Sequence, residues 1–84
     1  MEDQISATKM ALKAFEELYK ADPEHELVKF FTSDEVSDEA FTNRFWKREK
    51  PWEGLPGSMV TMVVETNYYL EVKEVLKEKY AVEI

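Results

Sequence analysis

The sequence predicts a small α+β domain in which helices cover one face of a short sheet, and its C-terminal third carries that prediction. Residues 58–65 follow Pro56-Gly57 and contain an apolar, β-branched run that is typical of a mostly buried strand. Residues 68–80 then place apolar and aromatic side chains on one side of a helical wheel and charged ones on the other. The closing residues 81–84 alternate and can add a strand beside the first. The prediction is a strand-helix-strand unit, with a mostly helical bundle as the alternative.

The N-terminal region predicts an amphipathic helix over residues 3–20, because apolar side chains recur there at helical spacing opposite lysines and glutamates. The pair Asp22-Pro23 is expected to end this helix and to begin a short one over residues 23–31. Asp accepts hydrogen bonds from free amides as an N-cap, and Pro loses no hydrogen bond at the first helical position. A strand over residues 27–31 is the alternative.

The middle of the chain is less regular. Thr32 and Glu35 have the spacing of a capping box, which predicts a third helix starting there. The apolar residues of segment 40–48 follow neither the spacing of a helix nor the alternation of a strand. Both a helix and one arm of a hairpin with the strand at 58–65 therefore remain open. Residues 50–57 contain two prolines and two glycines and predict a turn. Thr66 or Asn67 is expected to cap the final helix.

Length and composition indicate one domain over residues 1–84, since no linker, repeat or low-complexity tract interrupts the 84-residue chain. The absence of cysteine excludes disulfides, thiolate metal sites and thiol nucleophiles. An acidic start and the lack of a long apolar run predict a cytoplasmic protein with no membrane association.

The charge distribution indicates what kind of partner the protein binds. A net charge of −7 disfavours direct contact with nucleic acid or anionic lipid and favours a partner protein with a basic surface. Residues 21–43 hold seven acids and one base. This acidic segment has three interpretations: a solvated helix start, a face that imitates backbone phosphates and so binds a nucleic-acid-binding protein, or a divalent cation site. Against a cation site, the segment lacks the loop with a turn glycine that calcium sites use.

A basic and aromatic stretch, residues 44–52, follows the acidic segment. Its alternation of cations with aromatics can indicate stacking on bases, but tryptophans also anchor loops onto small cores, and nearby carboxylates can neutralise the cations. We expect Trp52 to be the more exposed of the two tryptophans. An exposed tryptophan is a candidate interface anchor.

The residues offer little support for catalysis. His25 lies in PEHEL, which lacks the second histidine of a zinc-protease motif. No serine lies in a nucleophile-elbow motif, and Gly54 and Gly57 make no phosphate-binding loop. We therefore predict no enzymatic activity, no cofactor and no metal.

Three functions remain as hypotheses, and no stretch of the chain resembles a known family. The first is an acidic protein that inhibits or regulates a partner by occluding its surface, with a nucleic-acid-binding protein as one candidate partner. The second is a structural or assembly subunit, for example a homodimer that completes the edge of the sheet. The third is a small-molecule-binding domain with a pocket near the tryptophans and tyrosines. The candidate partner-binding residues are Asp34, Glu35, Asp38, Glu39, Arg44, Trp46, Arg48 and Trp52.

Overall fold

The computed structural model describes residues 2–32 and 37–84. It contains four helices: α1 (Glu2–Ala21), α2 (Glu26–Thr32), α3 (Asp38–Trp46) and α4 (Gly57–Tyr80). No strand occurs in the described residues, so the predicted α+β fold is wrong and the all-helical alternative describes the domain. In the same part of the chain, none of the helices combines the length and the apolarity needed to cross a bilayer.

The predicted strand at residues 58–65 forms the first turns of α4, and packing explains the difference. Five side chains are buried along this helix at intervals of four residues: Val60, Val64, Tyr68, Val72 and Leu76. A row at that spacing is one of the ridges through which helices pack. The helical cost of a β-branched residue is below about 0.7 kcal/mol, whereas burying its side chain contributes about 1.5–3 kcal/mol. Burial against neighbouring helices therefore outweighs the local β preference.

The predicted N-terminal helix is confirmed as α1, and it runs in the same direction as α4. Near one end of the pair, the Thr8 hydroxyl donates to Glu65 Oε1 at 2.8 Å. Near the other end, the Tyr80 hydroxyl donates to Asp22 Oδ2 at 2.9 Å. The face of α1 that is buried in the core consists mainly of small side chains: Ala7, Ala11, Ala14 and Leu18. Such side chains allow two helix axes to approach closely. The two long helices α1 and α4 therefore pack along each other, and this helix pair is called the frame of the domain below.

The short helix after Asp22-Pro23 is present, but it begins later than predicted and its cap is different. The Leu27 N–H donates to His25 Nδ1 at 3.1 Å, so His25 caps α2. Asp22 Oδ1 instead accepts from the Glu24 N–H in the turn that precedes the helix. The alternative of a strand over residues 27–31 is wrong.

The helix α3 settles the open assignment of residues 40–48, which are helical up to Trp46. Its N-cap is Ser37, whose hydroxyl oxygen accepts from the Ala40 N–H at 3.1 Å. The predicted cap Thr32 is the last residue of α2 and donates to the Val28 carbonyl. Glu35, the other half of the predicted capping box, lies outside the described residues.

The chain after α3 corrects two further predictions. Neither Thr66 nor Asn67 is an N-cap, because both lie within α4. Asn67 Nδ2 instead donates to the Phe45 carbonyl at 2.7 Å and so binds the end of α3. The irregular connection at residues 47–56 agrees with the predicted turn.

The predicted strand at residues 81–84 is also wrong. Ala81 has φ 56 and ends α4, and the Val82 N–H donates to the Leu76 carbonyl at 3.0 Å. The Ala81 N–H bonds to the same carbonyl, and a left-handed residue such as Ala81 is a common way for a helix to end. Val82 and Ile84 then pack, half-buried, against the core.

A cluster of aromatic rings joins the short helices to this frame. Tyr68 is fully buried on α4, and its ring centroid lies 5.0 Å from that of Phe31 and 5.2 Å from that of Phe45. Its hydroxyl donates to the Leu27 carbonyl of α2 at 2.9 Å. Burial raises the pKa of Tyr68 well above its usual value, so the hydroxyl remains a donor at every physiological pH.

We expect Tyr68→Phe to lower the free energy of unfolding by about 1–2 kcal/mol, because the ring stays while the buried Leu27 carbonyl loses a donor. Tyr68→Ala should cost about 3–5 kcal/mol through the cavity it leaves. Urea unfolding followed by circular dichroism measures both changes. Tyr19 is half-exposed, so Tyr19→Phe is the control and should change stability by less than about 0.5 kcal/mol. Equal effects of the two Tyr→Phe changes would contradict this role of Tyr68.

The helix end at Ala81 gives a second prediction. Ala81→Gly should raise the free energy of unfolding by about 0.5–1 kcal/mol, since glycine adopts a positive φ without the clash of a Cβ atom. Lys79→Gly, two residues earlier and inside α4, should lower it by about 0.5–1 kcal/mol. Thermal unfolding of the two variants checks the opposite signs.

Candidate functional site

An open cleft of about 310 Å³ lies between α2, α3 and α4 and is the candidate functional site. Its wall combines aromatic rings with hydroxyl and carboxylate groups. The lining residues are Phe30, Phe31, Asp38, Phe41, Thr42, Thr61, Val64 and Glu65. A concave apolar surface with a few convergent polar groups is the usual form of a binding site in a small domain.

The aromatic wall is held in place by the core. Phe30 and Phe31 are adjacent at the end of α2, but their rings contact different neighbours. The Phe30 ring lies 5.2 Å from that of Phe45, and the Phe31 ring lies 5.2 Å from that of Phe15 on α1. Phe41 of α3 lies between them, at 5.7 and 5.5 Å. Phe31 nevertheless keeps 41% of its surface exposed, so the wall offers a rigid ring to a ligand.

Two carboxylates on different helices line the same cleft. Asp38 is exposed in the first turn of α3, where the helix dipole favours a negative charge. Glu65 is half-buried on α4, and the hydroxyl of Thr8 donates to its Oε1 atom. Glu39, next to Asp38, is also exposed. Carboxylates beside aromatic faces suit a cation, because ion pairing and the attraction of a cation to a ring act together.

The sequence-predicted residues fall into different environments. Asp34 and Glu35 lie outside the described residues. Asp38 and Glu39 are exposed, and Asp38 lines the cleft. The four basic and aromatic candidates, by contrast, do not line this cleft. They lie in α3 or in the connection that follows it: Arg44, Trp46, Arg48 and Trp52.

Arg44 contacts a carboxylate on α4. Its guanidinium donates to both oxygens of Glu71, one of them at 3.2 Å, and Lys47 Nζ donates to Glu71 Oε1 at 2.8 Å. Burial raises the pKa of Glu71, but the hydrogen bonds from Lys47 and Arg44 outweigh it and hold the pKa below its usual value. The two cations therefore join α3 to α4.

The two tryptophans anchor the connection at residues 47–56. Trp46 is buried and its Nε1 donates to the Lys50 carbonyl at 2.6 Å, while the Arg48 guanidinium lies 5.5 Å from the centre of a Trp46 ring. Trp52 is half-buried and donates to Asn43 Oδ1 at 2.8 Å. Trp52 is thus the more exposed of the two tryptophans, as predicted.

Sequence reasoning missed most of the cleft. Phe41 lies in a segment whose pattern fits neither a helix nor a strand, and Glu65 ends the predicted strand. The spacing around Phe31 predicts only the apolar side of a short helix. The available signal was the pair Phe30-Phe31 next to an acidic segment, since two adjacent aromatics on a helix point in different directions and both are rarely buried on one face.

Among the described residues, no group of three or more histidine, aspartate or glutamate side chains is close enough to hold a metal ion. Comparisons with family models, with curated proteins and with solved structures found no match to this chain.

The paired carboxylate Glu71 predicts how stability depends on pH. Because its pKa is lower in the folded protein, its contribution is present above about pH 4 and is lost as the pH falls through the folded value. Glu71→Gln should therefore cost about 1 kcal/mol near pH 7, and the difference from wild type should shrink in acid. Urea unfolding of wild type and Glu71→Gln, near pH 7 and in acid, measures the two differences in stability. Glu74→Gln, at an exposed site on the same helix, is the control, and a Glu71→Gln difference that does not change with pH would contradict the prediction.

Proposed function

We propose that this protein is a non-catalytic interaction protein whose cleft binds a basic segment of a partner protein. The observation that carries the proposal is the position of Asp38 and Glu65 at the border of a cleft walled by phenylalanine rings. The cleft accepts the alkyl stem and the charged end of an arginine or lysine side chain. The rings contact the stem, and the carboxylates pair with the charge.

Two physical terms favour a cationic ligand. A cation on an aromatic face contributes about 0.5–1 kcal/mol when exposed and about 2 kcal/mol when desolvated, and a charge-assisted hydrogen bond adds to it. The net charge of −7 also attracts a basic partner over a longer range and raises the rate of association. Asp38 and Glu39 belong to the segment that carries most of this charge.

The biological role in this proposal is inhibition or regulation by occlusion. A small acidic domain bound to a basic surface blocks that surface for other ligands, and a nucleic-acid-binding protein is one candidate partner. The activity needs no cofactor and no bond-making step. We keep the cytoplasm as the proposed location.

A direct test measures the binding of a labelled peptide of alternating arginine and leucine by fluorescence anisotropy. We expect the double variant Asp38→Asn, Glu65→Gln to weaken binding at least tenfold, or about 1.4 kcal/mol. Circular dichroism should show an unchanged fold, since glutamine at residue 65 can still accept from Thr8.

A matched control removes the same charge elsewhere. Glu49 and Glu53 are exposed in the connection at residues 47–56 and do not line the cleft. The double variant Glu49→Gln, Glu53→Gln should change affinity by less than about twofold, through long-range electrostatics alone. Equal losses in the two double variants would mean that binding follows net charge only, and the cleft would then have no special role.

A further inference from the structure

The side of α1 next to the cleft carries an exposed apolar row. At about 100° per residue, positions 8, 12, 15 and 19 share one side of this helix. Leu12 is 47% exposed and Tyr19 is 50% exposed, while Phe15 between them is half-buried. With the exposed Phe31 of α2 they form a surface called the α1 strip: Thr8, Leu12, Phe15, Tyr19 and Phe31. None of these residues is charged.

The α1 strip is continuous with the cleft at two points. The Phe15 ring centroid lies 6.0 Å from that of Tyr19 and 5.2 Å from that of Phe31, and Phe31 lines the cleft. Farther along α1, the Thr8 hydroxyl donates to Glu65, which is a carboxylate of the cleft. A ligand that pairs with Glu65 therefore lies next to an apolar surface that runs about 16 Å along α1.

We propose that the partner segment bound at the cleft is an amphipathic helix, whose cationic side chain enters the cleft and whose apolar side chains cover the α1 strip. This inference rests on the proposed function and adds the conformation and residue pattern of the partner. Charge complementarity supports it, because Asp38 and Glu65 suit a cation while the uncharged strip beside them suits apolar side chains.

The secondary structure of this surface favours a helical partner over an extended one. Every residue of the α1 strip lies on a helix, and the described residues contain no strand edge that could pair with an extended peptide. An extended segment covering the strip would bury backbone N–H and C=O groups without partners. A helix pairs these groups internally and presents apolar side chains at the same spacing as the strip.

The helix dipole gives the direction of the partner. Glu65 contacts α1 at Thr8, near the beginning of that helix, so the cation of the partner lies at this end of the strip. Cations are stabilised at the C-terminal end of a helix. A partner with its arginine in the last turn therefore runs antiparallel to α1. Positions 12, 15 and 19 then face partner residues that lie four, seven and eleven places before the arginine.

Two labelled peptides of identical composition test this pattern by fluorescence anisotropy. Both are about 18 residues long, which is enough for a helix, and consist otherwise of alanine, glutamine and lysine. In the first, leucines lie four, seven and eleven places before an arginine in the last turn. In the second, the same leucines are distributed around the helix. Wild type should bind the first peptide at least about tenfold more tightly.

A double variant removes the exposed apolar groups of the strip without changing its charge. In Leu12→Gln, Tyr19→Gln the preference for the first peptide should fall below about threefold, while the affinity for the second changes by less than about twofold. Circular dichroism checks the fold of this variant. Leu12→Gln alone keeps every aromatic ring of the strip and should lower the preference at least about threefold.

The matched control removes two apolar side chains that are equally exposed elsewhere. Met10 is 40% exposed on the opposite side of α1, and Leu70 is 53% exposed on α4. Met10→Gln, Leu70→Gln should retain the preference of wild type for the first peptide. An equal fall in the control and in the strip variant would overturn the inference, and so would equal binding of the two peptides by wild type.

The cleft variant Asp38→Asn, Glu65→Gln separates this inference from the proposed function. If it weakens the binding of both peptides while Leu12→Gln, Tyr19→Gln leaves the preference unchanged, the proposed function stands and the amphipathic partner is wrong. If the cleft variant weakens neither peptide, the proposed function is wrong and this inference is overturned with it.

Discussion

The buried contact of Tyr68 with the phenylalanine rings of α2 and α3 is the interaction on which the rest of the structure depends. α2 has seven residues and α3 has nine, and helices this short are not stable alone in water. Tyr68 holds α2 through the Leu27 carbonyl and through Phe31, and it holds α3 through Phe41 and Phe45. Without this contact the short helices α2 and α3 would not be held against the frame of α1 and α4.

The same rings build the cleft, so stability and binding share residues. Phe31 and Phe41 contact Tyr68 on one side and line the cleft on the other. The wall is therefore as rigid as the core behind it, and a ligand need not order it. The basic residues contribute to this organisation indirectly: Glu71 binds Arg44 and Lys47 on one flank of α4, while Asp38 and Glu65 remain at the cleft.

Part of the candidate site could be predicted from the sequence. Asp38 and Glu39 were expected to be exposed near a helix start, and they are, although the helix begins at Asp38 and not near Thr32. Glu65 could not be predicted as their counterpart, because its distance from Asp38 depends on how α3 packs against α4. The roles of the tryptophans likewise needed the structure, since Trp46 and Trp52 donate to groups that no spacing rule identifies.

The sequence by itself determined α1, the break at Asp22-Pro23, a turn within residues 50–57 and the acidic character of the chain. Each of these depends on local features: helical periodicity, proline and glycine, and charge. Only the tertiary structure decided that residues 58–65 are helical and that residues 81–84 close a helix end. The apolar run before Glu65 fits a strand and a helix equally well as a pattern. The burial of Val60 and Val64 between neighbouring helices, not local propensity, supplies the free energy that selects the helix.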